Sequence, residues 1–261
     1  MISFKPNIIP NRFKEQAIIV TGGALKGNIG QGAVLRYRAE GGIVHVFDRD
    51  GAALDQFISA LASGPKAYAH QLDITDETAV AAAVDKVVAA HGKLDVLVHS
   101  AAIVGPNGMD IDEVPTAEFL KTIGINVVGA YNVIKHSVRA MRPKGYGRIA
   151  VLASIAGREG NPKMAAYSTS KGAVIAMVKS VGKELAQTGI TINAFCPSTI
   201  LTPMVERDCT PDRVAFMLSK IPMNELGTVD SIVDLIAHYT APGAYYVTAQ
   251  AIDHTGGRNV Q

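Results

Sequence analysis

Short runs of β-branched and other apolar residues alternate with longer, Ala-rich stretches of helical period from residue 16 almost to the end of the chain. This alternation indicates repeated βαβ units and predicts an α/β fold: a doubly wound, seven-stranded parallel sheet with helices on both faces. A helix is predicted over residues 76–90, with Thr75 and Asp76 as candidate caps. The predicted strands cover residues 17–21, 43–48, 66–71, 96–100, 148–153, 191–195 and 248–253.

The pattern predicts one domain over residues 1–261, because no linker interrupts the alternation. Residues 1–14 precede the first strand and form a predicted N-terminal arm. Residues 196–226 break the rhythm with several prolines. Excursions from a rigid α/β frame commonly carry ligand-binding loops, so this segment is predicted to be a lid over the substrate.

Composition narrows the expected partners to small molecules. The 261 residues include 25 basic and 23 acidic ones, for a net charge of +2, which is not typical of a surface for nucleic acid or acidic membranes. The opening residues are too polar for a signal peptide, and no apolar stretch approaches the roughly 18 residues of a membrane span. Cys196 and Cys209 are expected to be reduced thiols, and the protein to be cytoplasmic.

The first predicted strand runs into the glycine-rich segment TGGALKGNIGQG, which opens a helix. In this position glycines let backbone N–H groups approach a pyrophosphate, and the helix N-terminus adds partial positive charge. Candidate contacts are Gly22, Asn28, Ile29 and Gly30. The alternative is a tight connection without a ligand.

Asp48 ends the second predicted strand, about 20 residues after the glycine turn, where a carboxylate accepts hydrogen bonds from ribose hydroxyls and repels a 2′-phosphate. This favours NAD over NADP. Arg49 and Lys26 point the other way, because either cation could pair with that phosphate. The alternative for Asp48 is a solvated turn residue.

Tyr167 and Lys171 lie one helical turn apart in AAYSTSKGAVIAMVKSVGKEL, a spacing that places a lysine ammonium beside a phenol. Tyr131 and Lys135 repeat the spacing. Only the first pair has a serine, Ser154, at the end of the preceding predicted strand; the matching position before Tyr131 is glutamate. Tyr131 and Lys135 are therefore predicted to be a surface pair.

Together with Asp73 in QLDITD, VLVHSAA, Asn126 in GINVVGAY and NAFCPSTILTPM, these motifs resemble the short-chain dehydrogenase/reductase family over residues 14–257. Three departures qualify the resemblance. The glycine loop has two extra residues, and Asn28 stands where the family has a middle glycine. The family's NNAG reads HSAA here, and the chain closes on DHTGGR. Because asparagine tolerates left-handed backbone angles, we expect Asn28 to preserve the turn.

The resemblance implies a Rossmann fold, a homotetramer, and hydride transfer between an alcohol and a bound nicotinamide. Tyr167 would then be the general acid/base, Ser154 would stabilise charge on the substrate oxygen, and Asn126 would hold a water that links Lys171 to solvent. Lowering the tyrosine pKa by about three units would require roughly 4 kcal/mol of interaction with Lys171 and the nicotinamide. The cofactor contacts so implied are Gly22, Asn28, Ile29, Gly30, Asp48, Arg49, Asp73, Ile74, Ser100, Ala101, Ala102, Tyr167, Lys171, Pro197, Ser198, Ile200 and Thr202.

No histidine lies three or four residues from another, so no metal site is expected. His99, at a predicted strand end, is interpreted as either structural or in contact with the cofactor. Ser154 lacks the G-x-S-x-G setting of many hydrolases.

Apolar residues of the lid and crevice mouth favour a cyclic or apolar alcohol as substrate. Polar residues of the same regions instead indicate a polyol or a sugar acid, and a dihydrodiol also stays open as a substrate. An NADP-dependent carbonyl reductase and a non-catalytic nucleotide-binding protein stay open as alternatives. The apolar set is Ile103, Val104, Met109, Met204, Val205, Val214, Phe216, Met217, Leu218 and Met223, and the polar set is Arg158, Glu159, Asn161, Lys163, Glu206, Arg207 and Asp208.

Overall fold

The computed structural model of the chain describes residues 6–61, 64–203, 205 and 209–259. Seven parallel strands form one sheet in the order β3-β2-β1-β4-β5-β6-β9, and β7 and β8 pair separately, which confirms the predicted seven-stranded sheet. The strands are β1 Ala17–Thr21, β2 Ile43–Asp48, β3 Ala67–Gln71, β4 Val96–His99, β5 Gly147–Leu152, β6 Ile190–Pro197, β7 Ile200–Leu201, β8 Gly227–Thr228 and β9 Ala251–His254.

Helices cover both faces of the sheet, as predicted. In the described residues they are α1 Ile29–Ala39, α2 Gly51–Ala60, α3 Glu77–His91, α4 Thr116–Ile123, a π-helix Gly124–Val128, α5 Gly129–Met141, a 3-10 turn Arg142–Lys144, α6 Ala156–Glu159, α7 Ala165–Leu185, α8 Pro211–Ser219 and α9 Val229–Thr240.

Local signals set several element boundaries. Asp76 caps α3 by accepting a hydrogen bond from the Ala79 N–H, as predicted from its position. The last strand begins three residues later than predicted, at Ala251. The cause is Ala249, which takes a left-handed φ of 61° that a strand cannot contain.

Alternate side chains of each buried strand enter two separate cores. In β1, Ile18 and Val20 pack with α1, α2 and α9, whereas Ala17 and Ile19 pack with α3, α5 and α7. Burial on both sides explains why the strands read as continuous apolar runs.

The strand order reverses at β1, whose neighbours are β2 on one side and β4 on the other. Thr21, the last residue of β1, is in register with Phe47 of β2 and with His99 of β4. In open parallel sheets, a crevice for ligands forms outside the carboxyl ends of the strands at such a point.

The predicted N-terminal arm and lid are each partly described. Arg12 of the arm forms a salt bridge with buried Glu40, which anchors the arm beside α1. The predicted lid, residues 196–226, contains β7 and α8, while Met204, Glu206, Arg207 and Asp208 lie outside the described residues. In the part of the chain that the structure describes, both cysteines are free and no helix could span a bilayer.

Three histidines that are distant in sequence meet between β2, β3 and α3. Nδ1 of His45 lies 2.8 Å from Nε2 of His70, and Nε2 of His45 lies 2.9 Å from Nε2 of His91. Tyr68 stacks on the His45 ring. Because both His45 nitrogens contact imidazoles, the His45 ring links His70 and His91 through hydrogen bonds. Among the described residues, no set of His, Cys, Asp and Glu side chains has the arrangement of a metal site.

This cluster predicts a loss of stability in acid. Burial, reinforced by His70 and His91, lowers the pKa of His45 to about 3, and burial also lowers the pKa of His70. The unfolded chain takes up protons near pH 6.5, so it binds more protons than the folded chain below that pH, and stability falls as the pH decreases from about 6.5 toward 3. By pH 5, His45 alone removes roughly 2 kcal/mol from the free energy of unfolding.

Urea unfolding at pH 7 and pH 5 measures this loss. His45→Phe keeps the stacking on Tyr68 and is expected to lose less stability between the two pH values than the wild type. His238→Gln, at an exposed histidine, is expected to match the wild type. Equal losses for His45→Phe and the wild type would contradict the assignment.

Candidate active site

A cleft of about 240 Å³ opens where β1, β2 and β4 end. Nine of the predicted cofactor contacts line it: Gly22, Asn28, Asp48, Arg49, Asp73, Ile74, Ser100, Ala101 and Ala102. Ile103, predicted at the crevice mouth, lines it as well. The remaining lining residues, Leu25, Phe47, Leu72 and Ile125, were not predicted. Three of these four directly precede a predicted site residue in the sequence, so adjacency was the available signal.

The glycine-rich loop closes this cleft through contacts that exclude side chains. A Cβ on Gly22, whose φ is +70°, would lie 2.8 Å from the Ala101 backbone, and a Cβ on Gly30 would lie 2.3 Å from the Gly22 oxygen. Such distances are far below van der Waals contact, so both positions require glycine. The loop backbone and the start of α1 therefore lie against the cleft wall.

Asn28 preserves the turn by a different means from the expected left-handed backbone. Its φ is −83°, so the expectation of left-handed angles was wrong. Its side chain instead accepts a 2.7 Å hydrogen bond from the Gln31 N–H and donates a 2.9 Å bond to the Gly22 oxygen. Asn28 is thus the N-cap of α1 and also fastens the loop.

Two carboxylates mark one end of the cleft. Asp48 accepts hydrogen bonds from the Ala24 N–H at 3.0 Å and the Asp50 N–H at 3.2 Å, so it ties the glycine loop to β2. Asp73 accepts bonds from the Thr75 N–H and hydroxyl at 2.8 Å, which lower the pKa of Asp73. This end of the cleft holds negative charge beside the exposed Arg49.

The other predicted residues meet beyond β5. Ser154 follows β5, and its hydroxyl accepts a 3.1 Å hydrogen bond from the Ala156 N–H. The same hydroxyl lies near enough to the Tyr167 phenol to lower the pKa of that phenol. The Lys171 Nζ lies 5.7 Å from the centre of the Tyr167 ring and donates a 2.7 Å hydrogen bond to the Leu152 oxygen. The structure therefore brings Ser154, Tyr167 and Lys171 together, as predicted.

Burial dominates the titration of this group. It raises the pKa of Tyr167, and hydrogen bonding to Ser154 opposes that rise only in part. Burial also lowers the pKa of Lys171 to about 8. The lowering of the Tyr167 pKa by Lys171 together with a bound nicotinamide stays a prediction.

Asn126 lies in the π-helix, and its amide bonds to the backbone N–H and oxygen of Ile103, each at 2.8 Å, and to the Ser170 hydroxyl at 2.9 Å. The side chain thus fastens the segment after β4 to α7. Its predicted water link from Lys171 to solvent stays a prediction. π-Turns of this kind recur at functional sites.

The remaining predicted residues lie around this centre. Tyr131 and Lys135 form a surface pair on α5, as predicted, with Lys135 bonded to Glu77 at 2.7 Å. Among the predicted contacts that do not line the cleft, Ile29 and Gly30 begin α1, and Pro197, Ser198, Ile200 and Thr202 follow along β6, β7 and their connections.

A polar network follows Ser154 directly. Arg158 of α6 bonds to Asp253 of β9 at 2.6 Å, and the Arg258 guanidinium bonds to Glu159. Both arginine side chains are mostly buried. The C-terminal segment is thereby attached to the helix that begins beside Ser154.

Comparison with known proteins agrees with this architecture. A family model described as Enoyl-(Acyl carrier protein) reductase matches residues 22–259. The 2-dehydro-3-deoxy-L-rhamnonate dehydrogenase (NAD(+)) of Sphingomonas sp. (strain SKA58) is 38% identical over 252 residues, 97% of this chain and 98% of that protein. The chain belongs to the short-chain dehydrogenase/reductase family.

Other short-chain dehydrogenases/reductases match at similar coverage. The 3-oxoacyl-(acyl-carrier-protein) reductase of Thermotoga maritima is 31% identical over 248 residues, 94% of this chain and 98% of that protein. The crystal structure of NAD+-bound xylitol dehydrogenase superimposes with a TM-score of 0.87 at 31% identity, over 94% of this chain and 99% of that one.

The cleft fits the dinucleotide that short-chain dehydrogenases/reductases use. The glycine loop lines the cleft through Gly22 and Asn28, and Gly22 carries no side chain that would separate its backbone from a pyrophosphate. Asp48 lies at the end of β2, where a ribose would be recognised. Asp73 and Ile74 line the adjoining wall.

Proposed function

We propose that this protein is an NAD-dependent oxidoreductase that interconverts a secondary alcohol and its ketone. The observation that carries the proposal is the meeting of Ser154, Tyr167 and Lys171 past the end of β5, at the same edge of the sheet as the cleft that Asp48 lines. When bound, NAD supplies a nicotinamide carbon that accepts or returns a hydride. Gly22, Asn28, Asp48 and Asp73 would hold it.

The protein's own residues then handle the proton and the charge on oxygen. As the phenolate that Lys171 and the nicotinamide would stabilise, Tyr167 takes the proton from the alcohol hydroxyl, and as the phenol it returns a proton to the ketone oxygen. Ser154, whose hydroxyl lies near the phenol, orients that oxygen and stabilises its charge. Lys171 provides positive charge from the next turn of α7.

We propose NAD as the preferred cofactor, because the ionised Asp48 would repel a phosphate on the ribose. The NAD(+) in the name of the Sphingomonas relative and the NAD+ bound to xylitol dehydrogenase support this preference. Arg49 would favour NADP, because its cation could pair with a ribose phosphate. The Thermotoga relative is named a reductase, so the screen below also includes the alternative of an NADP-dependent carbonyl reductase.

We propose a hydroxy acid of the sugar-acid type, or a polyol, as substrate. The names of the rhamnonate and xylitol relatives support this class over an apolar cyclic alcohol. Arg158, one of the polar residues that indicated this class in the sequence, lies on α6 shortly after Ser154 and is paired with Asp253 of β9.

We also propose a cytoplasmic homotetramer. A groove between α5 and α7, lined by Tyr131, Ile134, Met177 and Val181 among others, offers an apolar surface for a second copy. Val174 and Val178 of α7 are buried in the core instead. The two free thiols suit a reducing compartment.

The test is a screen of the purified protein with NAD(H) and NADP(H), following absorbance at 340 nm, a property of the reduced nicotinamide, against sugar acids, polyols, cyclic alcohols and dihydrodiols. We expect turnover of a sugar acid or polyol with NAD+. Faster turnover with NADPH and a ketone would replace the cofactor assignment. Tight NAD+ binding with no turnover of any compound would instead favour a non-catalytic nucleotide-binding protein.

A further inference from the structure

His99 is a buried histidine next to the candidate active site that the mechanism above does not use. It ends β4, is 3% exposed, and pairs in register with Thr21, the last residue of β1. Its Nδ1 lies 2.9 Å from the Thr21 hydroxyl oxygen. It stands at the first position of the HSAA segment, where the resemblance described above has asparagine.

The Thr21 hydroxyl is fully used. Its oxygen accepts hydrogen bonds from the Ser100 N–H and the Ala101 N–H, both at 3.1 Å. A hydroxyl accepts two bonds and donates one, so its hydrogen is left for Nδ1 of His99. This accounting assigns His99 as neutral, with its own proton on Nε2.

The surroundings favour the same neutral state. Burial, and secondarily the positive charge of Lys171, lower the pKa of His99 to about 3. A proton on Nδ1 would face an oxygen that already accepts two N–H groups, and the Thr21 hydrogen would lose its acceptor. The burial and the contact with Thr21 thus both disfavour a positively charged His99 ring.

The backbone held in this way lies against the cleft. Ser100 and Ala101 line it, and Gly22 approaches Ala101 so closely that a Cβ would lie 2.8 Å from the Ala101 Cα. A shift of the Ala101 backbone therefore moves the start of the glycine loop. The chain of contacts runs from His99 through Thr21 to the residues that face the cofactor.

We propose that His99 is a positioning residue for the cofactor: as a neutral hydrogen-bond acceptor it fixes the Thr21 hydroxyl, which holds the Ser100–Ala101 backbone against Gly22. This rests on the proposed function, since it assigns NAD to the cleft. It predicts an effect on the affinity for NAD+ and little effect on the chemical step.

Titration calorimetry with NAD+ tests the proposal. His99→Phe removes the acceptor and is expected to raise Kd for NAD+ about tenfold, because one buried hydroxyl is left unpaired. Its kcat at saturating NAD+ is expected to stay within about twofold of the wild type, since the variant acts on binding. His99→Asn offers an amide oxygen to Thr21 and is expected to restore Kd to within about threefold.

Two controls separate this role from a general loss of packing. His136→Phe changes another buried histidine. His136 lies in α5, contacts Glu77 of α3 and does not line the cleft, so the substitution is expected to leave Kd for NAD+ unchanged. Thr21→Val combined with His99→Phe is expected to weaken NAD+ binding no more than Thr21→Val alone, because the two residues act through one contact. If His99→Phe does not fold, His99→Asn and Thr21→Val still provide the comparison.

The pH dependence of binding gives an independent readout. His99 stays neutral above about pH 5, and Lys171, with a pKa of about 8, keeps its proton below pH 7. Wild-type Kd for NAD+ is therefore expected to be the same from pH 5.5 to 7. Wild-type affinity in His99→Phe, no rescue by His99→Asn, or additive effects in the double variant would overturn the proposal. Absence of NAD+ binding to the wild type would instead overturn the proposed function.

Discussion

Tyr167→Phe is expected to reduce kcat for alcohol oxidation by about 10³-fold while leaving the affinity for NAD+ nearly unchanged. The substitution removes one oxygen, which is the group that takes the substrate proton. The ring stays, so the packing of α7 beside Ser154 is retained. The reaction loses its proton acceptor in the transition state.

The measurement is kcat together with Kd for NAD+ from titration calorimetry. Tyr131→Phe is the matched control, because Tyr131 has the same spacing to a lysine, Lys135, on a surface helix. It is expected to keep full activity. Comparable activity in Tyr167→Phe and the wild type would show that another group moves the proton.

Asp48→Asn is expected to shift the ratio of kcat/KM for NAD+ over NADP+ toward NADP+ by about 50-fold, which corresponds to roughly 2 kcal/mol. The amide oxygen still accepts the hydrogen bond from the Ala24 N–H, so the glycine loop keeps its anchor. The negative charge is lost, and Arg49 is left to pair with a ribose phosphate.

Initial rates with each cofactor measure this ratio. Asp85→Asn removes a remote surface charge, paired with Arg139, and is expected to leave the ratio unchanged. Asp48→Ala removes the acceptor for Ala24 as well, so it is expected to weaken binding of both cofactors. An unchanged ratio in Asp48→Asn would mean that Asp48 serves only to hold the loop.

The sequence predicted what depends on local pattern. The central strands of the main sheet follow from their apolar runs, and α3 begins where Asp76 supplies a cap. Ser154, Tyr167 and Lys171 could be predicted as a group because a strand end and one helical turn fix their places. These features depend on residues that are close together in the sequence.

What the sequence did not reveal depends on contacts between distant segments. His45, His70 and His91 belong to two strands and the end of a helix. They meet because β2 and β3 are neighbours in the sheet, and the order of the strands is not visible in the spacing of the three histidines. The Asn126 amide is taken by Ile103, a partner that no spacing indicates. The rise in the Tyr167 pKa reflects burial, which a pair of residues on one helix face does not disclose.

The most direct test of the central claim follows one hydrogen atom. Deuterium is placed on the carbinol carbon of the sugar acid or polyol that the screen identifies, and the NADH formed by the wild type is examined by NMR. Direct hydride transfer beside Tyr167 predicts one deuterium on the nicotinamide C4 of each NADH molecule. NADH without the label, or label released to water, would contradict the account.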